Sequence, residues 1–299
     1  MSRAPVSGEL SDNVRGALYM IASMAGFAVE DALFKSVTLT LPPGLATLLF
    51  GLSGLAIFTA WSVLAREPVL VREMLRPRLL TRSGFEIMGR LFFALALAYA
   101  PLATTSAILQ ATPLVVIAGA SLLLGTRVAA SRWLAVSLGF VGVLFVIRPI
   151  PAEFNWAALF AVAATIGFAG RDLATRMSPP AVTARQLGIL GFLVVIAAGA
   201  ILTPLDPGLL RLPTGSEALR LGLTGLVGTF AYQALTWAMR TGEVAVVTPF
   251  RYARLLFALG FAVLLFGETL DGWTIAGMVL IVGTGIFALL PVANRRARS

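Results

Sequence analysis

The feature that most constrains this chain is a series of ten apolar stretches, each about as long as a helix that crosses a lipid bilayer. A crossing helix needs about 20 mainly apolar residues, because the hydrocarbon core is about 30 Å thick. Charged residues make up only 12% of the 299 residues, too few to cover the surface of a soluble protein of this size. The sequence therefore predicts an all-α membrane protein with ten transmembrane helices, at residues 16–36, 44–64, 83–103, 103–124, 131–149, 155–176, 184–203, 217–240, 244–266 and 271–290.

The lysines and arginines predict which side of the membrane each loop faces. With a cytoplasmic N-terminus, fifteen of these 23 residues fall on the cytoplasmic side, four on the outer side and four inside spans. Because basic loops stay in the cytoplasm, we expect both termini there, as a tail at 1–15 and a basic tail at 291–299 of a bacterial inner-membrane protein. The net charge of +9 then reflects topology, and we expect no nucleic-acid partner.

Two residue types and one motif are absent from the sequence. The chain has no cysteine and no histidine, which excludes thiol catalysis, histidine-dependent catalysis and the common zinc sites. It also lacks the GxxxxGK[ST] loop that binds ATP. We therefore expect no metal, no cofactor and no ATP. A membrane-embedded enzyme that uses Glu86, Arg90 and Asp172 is an alternative, but the sequence assembles no nucleophile with a base, so we expect no enzyme.

An internal repeat divides the chain into two halves. Shifted by 141 residues, the segment 26–31 matches the segment 167–172 at Gly, Phe, Ala and Asp. The repeat predicts two units of five spans each, at 16–149 and 150–290. Because five is odd, the second unit must be inverted in the membrane relative to the first. Inverted repeats that meet at a midplane site are typical of secondary transporters.

Short motifs along both halves are similar to those of a known family. They are Gly26-Phe27 and Lys35, Ala96-Leu97 with Tyr99 and Pro101, Pro113, Phe266-Gly267-Glu268, and Gly277, Gly283 and Gly285. In this order and spacing they resemble the drug/metabolite transporter superfamily in its ten-span EamA-type form, over about residues 16–290. Within it, the chain is most similar to bacterial exporters of aromatic amino acids of the YddG-like type. Two positions depart from the pattern of this family. Thr126 stands where the family has an acidic residue, and Leu255 stands where it has a proline.

These features together predict a secondary transporter or exporter that works by alternating access. We expect small zwitterionic metabolites as substrates, with amino acids, aromatic ones among them, as the first candidates. The other expected partners are the lipid bilayer and protons as the candidate coupling ion, and the protein is expected to be a monomer. The alternatives are another metabolite or drug-like compound, such as a nucleoside, a vitamin or a cationic drug, and a facilitator without ion coupling.

Charged and polar side chains inside the spans are the candidates for the site, because a charge in lipid is costly and normally faces a cavity. In the ninth span Thr248, Arg251 and Tyr252 share one helical face. Arg254 lies only about 60° further round. The predicted substrate-binding residues are Arg251, Arg254, Tyr252, Arg90, Gln110, Asp172, Thr248, Trp237 and Tyr99. The predicted coupling or gating residues are Glu30, Asp31, Glu86 and Arg171.

The spacing of the charges also predicts how they pair. Glu86 precedes Arg90 by four residues, which favours an ion pair along one helix, either structural or part of the substrate site. The adjacent Arg171 and Asp172 point about 100° apart and are expected not to pair with each other. Asp172 is instead expected to pair across helices, with Arg251 or with Arg90.

Three residues nearer the span ends allow further expectations. Glu30 and Asp31 have only Lys35 as a basic neighbour at their estimated depth. A carboxylate without a partner in a membrane can bind an ammonium group or a proton. Trp237 fits either the belt of aromatic residues at the membrane interface or a stack on an aromatic substrate.

Overall fold

The regular structure of the protein is helical. The computed structural model describes residues 7–99, 108–147, 158–205, 211–266 and 270–290. In these residues it places α1 (Ser7–Thr38), α2 (Pro43–Leu64), α3 (Pro77–Tyr99), α4 (Thr112–Leu123), α5 (Ala130–Ile147), α6 (Ala158–Arg176), α7 (Ala184–Leu202), α8 (Gly215–Arg240), α9 (Val244–Val247), α10 (Ala253–Phe266) and α11 (Gly272–Leu289). Short 3-10 turns lie at Arg72–Leu75, Thr203–Leu205 and Thr248–Tyr252. The all-α prediction is confirmed for this part of the chain.

Local capping groups explain where several helices begin. At the start of α7 the Thr183 hydroxyl accepts a hydrogen bond from the Gln186 backbone N–H, and the Gln186 side chain accepts one from the Thr183 N–H. Thr214 and Glu217 form the same reciprocal box at the start of α8. The Asp271 carboxylate caps α11. These side chains satisfy N–H groups that have no partner within the helix, and the three starts fall within two residues of the predicted span boundaries.

Five helices in the described ranges are long and apolar enough to cross a membrane. They are Ser11–Thr38, Pro43–Leu64, Ala184–Leu202, Val244–Phe261 and Gly272–Leu289. Two further apolar helices, at Thr112–Leu123 and Ala130–Val146, are shorter. Ten crossings and the side on which each terminus lies therefore stay predictions.

The helices pack in pairs that relate one half of the chain to the other. The most extensive contacts join α1 with α8, α2 with α7, α3 with α6 and α5 with α11. Exchanging each helix of the first half with its counterpart in the second converts the α1–α8 pair into the α6–α3 pair and leaves the other two unchanged. This pattern is symmetric between the two halves, as expected for two related repeats, and the inversion of the second repeat in the membrane stays a prediction.

Glycines allow the paired helices to approach closely. A Cβ atom on Gly167 of α6 would lie 2.5 Å from the backbone nitrogen of Gly89 on α3. A Cβ atom on Gly51 of α2 would lie 2.8 Å from the backbone nitrogen of Ile196 on α7. Small residues at such crossings are the usual means of packing membrane helices. Gly222, in contrast, faces open space.

Both halves contain a break in the helix that corresponds to the fourth or the ninth predicted span. In the first half, a turn at residues 110–111 precedes α4. Pro113 has no N–H to donate to the Leu109 carbonyl, and the Thr112 hydroxyl donates to that carbonyl instead, at 2.5 Å. In the second half, the 3-10 turn Thr248–Tyr252 separates α9 from α10. Breaks at corresponding positions of the two halves indicate where a transporter binds its substrate.

Candidate functional site

The two arginines at the second break each meet a carboxylate from another helix. Arg251 donates to Asp172 of α6. Arg254 donates to Asp31 of α1, with its Nε at 2.9 Å from Oδ2, and its Nη2 bonds to the same oxygen. The predicted pairing of Asp172 with Arg251 is confirmed. Ion pairs therefore connect the second break to the first helix of the chain and to the first helix of the second half.

The Asp31–Arg254 pair corrects one expectation from the sequence. Asp31 was expected to have only Lys35 as a basic neighbour, but the pair with Arg254 forms across helices. The expectation compared the depths of backbone positions in the membrane, as if each helix were straight. An arginine side chain extends several ångströms beyond its own backbone and reaches partners at other depths. The Arg254 side chain is 37% exposed and that of Asp31 is 53% exposed, so the pair is accessible. The guanidinium of Arg254 also lies over the ring of Phe27, 5.4 Å from its centroid.

A second group of charges is fully buried and centres on Glu86 of α3. Arg82 and Arg171 each lie 3.3 Å from a different oxygen of the Glu86 carboxylate. The Tyr232 hydroxyl of α8 lies 2.9 Å from both oxygens and also accepts from Arg82. The Arg82 Nε donates to the hydroxyl of Thr175 at 2.9 Å. Buried charges are costly unless they are paired and hydrogen-bonded; every charge of this cluster has an oppositely charged partner, and Arg82 Nη1 has the ion pair with Glu86 but no hydrogen bond.

Two expectations about neighbouring charges on single helices are wrong: Arg171 and Asp172 were expected not to pair, and Glu86 was expected to pair with Arg90. The Arg171 Nε donates to the Asp172 Oδ1 at 2.8 Å, although their Cα–Cβ bonds diverge, because the flexible arginine side chain folds back toward its neighbour. Glu86 pairs with Arg82 and Arg171, and no ion pair between Glu86 and Arg90 occurs in the described structure. Arg82 lies four residues before Glu86 on the same face of α3. Glu86 therefore pairs with the arginine on its N-terminal side and not with Arg90 on its C-terminal side.

Several buried polar atoms of the described residues have no hydrogen-bond partner. Oε2 of Glu30, Nε of Arg90, Oγ1 of Thr229, Oε1 of Gln233 and Oγ1 of Thr248 are in this state. Buried polar atoms are nearly always bonded. These five atoms belong to α1, α3, α8 and the second break, which also carry the charged pairs, and each is a position where a ligand, or water, would complete the bonding.

The other predicted site residues lie in different surroundings. Tyr252 is buried, and its hydroxyl donates to the Val136 carbonyl of α5 at 3.1 Å, so it faces away from the carboxylate that Arg251 contacts. The 3-10 turn explains this separation, because it changes the angle between successive side chains. Gln110 is half-buried in the first break. Tyr99 is the last residue of α3, and its side chain lies outside the described residues.

Trp237 lies at the opposite end of the α1–α8 pair from the capped start of α8. Its ring packs against Tyr19 with centroids 5.4 Å apart, and both residues line a surface cavity of about 690 Å³. Between this cavity and the charged pairs is an apolar layer that includes Met20, Met24 and Val247. These residues belong to one apolar cluster that joins α1, α8 and α9.

The sequence interpretation missed two residues of the charged centre, Arg82 and Tyr232, and two buried polar residues, Thr229 and Gln233, on the same helix as Tyr232. The topology count places Arg82 on the cytoplasmic side, just before the third predicted span, yet it is almost completely buried. Tyr232, Thr229 and Gln233 lie in the eighth predicted span and are not among the predicted site residues. All three α8 residues are polar side chains in the middle of an apolar helix, with Tyr232 three and Gln233 four residues after Thr229, and that pattern was the available signal.

Comparison of the sequence with known proteins finds one matching family and several named relatives. The profile of the EamA-like transporter family matches residues 14–148 and again residues 154–290. The chain is 28% identical to a riboflavin transporter of Rhizobium johnstonii, over 97% of this chain and 95% of that protein. It is 26% identical to the pseudopaline exporter CntI of Pseudomonas aeruginosa, over 89% and 93% of the two chains. It is also 26% identical to an S-adenosylmethionine uptake transporter of Rickettsia prowazekii, over 67% of each.

A crystal structure of another protein has the same fold. It superposes with a TM-score of 0.79 over 94% of this chain and 98% of that chain, at 22% sequence identity. The similarity extends over nearly the whole of both chains, so the helical arrangement described above is shared by the two proteins.

Proposed function

The chain belongs to the EamA-like transporter family, and from this premise we propose that it is a secondary transporter of a small metabolite with both an acidic and a basic group. Membership makes it a multi-pass membrane transporter of small metabolites. The finer parts of the proposal are that it lies in the bacterial inner membrane with both termini in the cytoplasm, and that amino acids or compounds derived from them are its substrates.

The observation that carries the proposal is the accessible Asp31–Arg254 pair at the second break. A zwitterion can insert into such a pair, with its carboxylate on Arg254 and its ammonium group on Asp31, and leave the total charge of the site unchanged. Charge that stays balanced avoids the cost of placing an unpaired ion in a medium of low dielectric constant. Arg251 and Asp172, which are much less exposed, would hold the break in place beneath the substrate.

The same pair gives a physical basis for alternating access. Asp31 belongs to α1 in the first half, and Arg254 belongs to α10 in the second. A substrate that opens this pair loosens one bond between the halves, while the apolar layer with Met20 and Met24 closes the other side. Rocking of the halves around the charged centre would then expose the substrate to each side in turn.

The named relatives widen the range of substrates to be tested. The three carry names for riboflavin, S-adenosylmethionine and pseudopaline, and none of the three names an aromatic amino acid. S-adenosylmethionine has the ammonium and carboxylate groups of methionine, so it fits the proposed site. Riboflavin is the second candidate, favoured by the nearly full-length similarity and by Phe27, against which a planar ring could pack beside Arg254.

Uptake into liposomes tests this proposal directly. Purified protein would be reconstituted, and the initial uptake of labelled amino acids, S-adenosylmethionine and riboflavin would be measured with and without a pH gradient. We expect Arg254→Gln to lower uptake at least tenfold, because a charged hydrogen bond to the substrate is lost. The matched control is Arg220→Gln, which changes an exposed arginine of α8.

Three outcomes would contradict parts of the proposal. Equal uptake by wild type and Arg254→Gln would show that the site is placed wrongly. Uptake of riboflavin alone would replace the zwitterion with a flavin. Uptake that does not change with the pH gradient would exclude proton coupling.

A further inference from the structure

The buried charges that connect α3, α6 and the second break do not balance. Five charged side chains form one continuous series of ion pairs, in the order Arg82, Glu86, Arg171, Asp172 and Arg251. The three arginines outnumber the two carboxylates by one. The Tyr232 hydroxyl donates to the Glu86 carboxylate, so it keeps its proton and adds no negative charge. The series therefore carries one positive charge in excess.

The charged side chains beside this series cancel one another in the part of the chain that the structure describes. Arg254 pairs with Asp31. Arg90 lies within electrostatic range of Glu30, so these two also balance, and uptake of a proton by Glu30 would only increase the positive excess. A net charge inside a membrane is costly. A negative group from a ligand would therefore stabilise the centre.

Arg251 is the member of the series that such a group can reach. Its Nη1 donates to Asp172, and its Nε and Nη2 have no hydrogen-bond acceptor within the described residues. Its side chain is 13% exposed, whereas that of Arg171 is 6% exposed and that of Arg82 is 1% exposed. A guanidinium has five N–H donors, so an anion can bind Arg251 without displacing Asp172.

The 3-10 turn at the second break places a hydroxyl on the same face as Arg251. Thr248 precedes Arg251 by three residues in this turn, and side chains three residues apart are eclipsed in 3-10 geometry. Thr248 is fully buried, and its Oγ1 has no hydrogen-bond partner. A hydroxyl next to a guanidinium with unused N–H groups offers the donors that a carboxylate accepts.

The neighbouring arginine already has a role in the proposed function. Arg254 lies three residues beyond Arg251 and within electrostatic range of it. Arg254 is proposed to bind the carboxylate of a zwitterion, and Asp31 is proposed to bind its ammonium group. These contacts are balanced in charge, so they leave the excess on the series of ion pairs uncompensated.

We infer that Arg251 and Thr248 form a subsite for a second acidic group of the transported molecule, which then carries one more acid than it has amines. This inference rests on the proposed function and keeps its placement of the ammonium group on Asp31 and of the first carboxylate on Arg254. A second carboxylate cancels the excess positive charge, whereas a neutral group leaves it in place. The subsite therefore selects acidic over neutral amino acids and their derivatives.

Binding of two matched amino acids to purified protein in lipid nanodiscs tests the subsite without any transport assay. L-Glutamate and L-glutamine have nearly the same size and differ in one carboxylate, and calorimetry gives their affinities. We expect wild type to bind glutamate at least tenfold more tightly than glutamine. Arg251→Gln should reduce this preference to less than threefold and leave the affinity for glutamine unchanged. Thr248→Val should reduce it partly, whereas the control Thr236→Val, which removes a hydroxyl bonded within α8, should retain it.

Two further measurements separate the second acidic group from the rest of the site. Arg254→Gln should weaken the binding of both amino acids by the same factor, because they share the carboxylate that Arg254 binds. Acetate and acetamide probe the acidic group alone, at equal concentration and ionic strength. We expect sodium acetate to raise the melting temperature of wild type more than acetamide does, and to lose this advantage in Arg251→Gln. Asp172 keeps Arg171 as a partner in that variant, so the variant is expected to fold.

The outcomes distinguish this inference from the proposed function. Equal affinities for glutamate and glutamine in wild type, or a preference that persists in Arg251→Gln, would overturn the subsite, even if liposomes take up amino acids. Stabilisation by acetate that depends on Arg251, in a protein that binds neither amino acid, would support the subsite and refute amino acids as substrates. Equal stabilisation by chloride and acetate, with no preference for glutamate, would show that Arg251 binds a counter-ion and not the substrate.

Discussion

Replacing Tyr232 with phenylalanine removes one hydroxyl from the buried cluster and leaves the packing volume nearly unchanged. That hydroxyl lies 2.9 Å from each oxygen of Glu86 and accepts from Arg82. A hydrogen bond to a charged group contributes about 1.5–3 kcal/mol, so the bonds to the two charged partners together stabilise the fold by about 3–6 kcal/mol. The remaining Arg82–Glu86 ion pair, at 3.3 Å, compensates in part, and we expect a net loss of about 3 kcal/mol.

Tyr252→Phe is the matched control. Its hydroxyl makes one bond, to the neutral Val136 carbonyl at 3.1 Å, which is worth about 1 kcal/mol. With about 2–4 °C of melting temperature per kcal/mol for a chain of this size class, Tyr232→Phe should lower the midpoint by about 6–12 °C and Tyr252→Phe by about 2–4 °C. Thermal unfolding of detergent-solubilised protein can be followed by the fluorescence of its five tryptophans. A shift for Tyr232→Phe no larger than that of the control would refute the assignment of Tyr232 as the centre of a charged network.

Three other measurements test the packing, the surface charges and the topology. Gly167→Ala should lower the melting temperature, because its methyl group would lie 2.5 Å from a backbone nitrogen of α3 and force the α3–α6 pair apart at about 1–3 kcal/mol; Gly222→Ala, in open space, should not, and equal effects would argue against this close approach. The Arg185 guanidinium, with help from a threonine hydroxyl, holds the pKa of Glu67 below its usual range, so the ion pair stabilises the fold at neutral pH and is lost as pH falls through that lowered pKa. Glu67→Gln should therefore cost about 0.5–1 kcal/mol at pH 7, with a difference from wild type that shrinks toward low pH; a constant difference would contradict this. Because the chain has no cysteine, Leu212→Cys and Leu75→Cys can report topology: a membrane-impermeant maleimide added to intact cells should label the first and not the second, and the reverse would invert the predicted orientation.

The ends of several helices could be predicted from the sequence because they depend on local chemistry. The α7 and α8 helices begin at capping boxes that can be recognised in the sequence, starting at Thr183 and Thr214. The apolar run that follows each box determines the length of the helix. The start of α1 at Ser7 could not be predicted in this way, since it lies before the apolar stretch. Hydropathy detects the part of a helix that prefers lipid, and a polar turn outside the bilayer gives no such signal.

Part of the charged centre could also be anticipated. The ninth span was recognised as the one with two arginines inside it, and the pairing of Arg251 with Asp172 was expected. The partners of Arg254 and Glu86 were not, because the expectations relied on spacing within one helix and on depth. Asp31 and Arg254 are separated by more than 200 residues in the sequence, and only the packing of α1 against α10 brings them together.

The sequence by itself determined that this chain is helical, that it belongs in a membrane and that a few charges must lie inside it. Those properties follow from the composition and hydropathy of short segments, and these do not depend on how the segments are arranged in space. The tertiary structure alone decided that Arg254 meets Asp31, that Tyr232 bridges Arg82 and Glu86, and that Glu30 has no partner for one of its oxygens. Such facts depend on the rotation and the separation of helices that are distant in the chain, and a difference of a few ångströms there decides whether a buried charge is paired or available to a ligand.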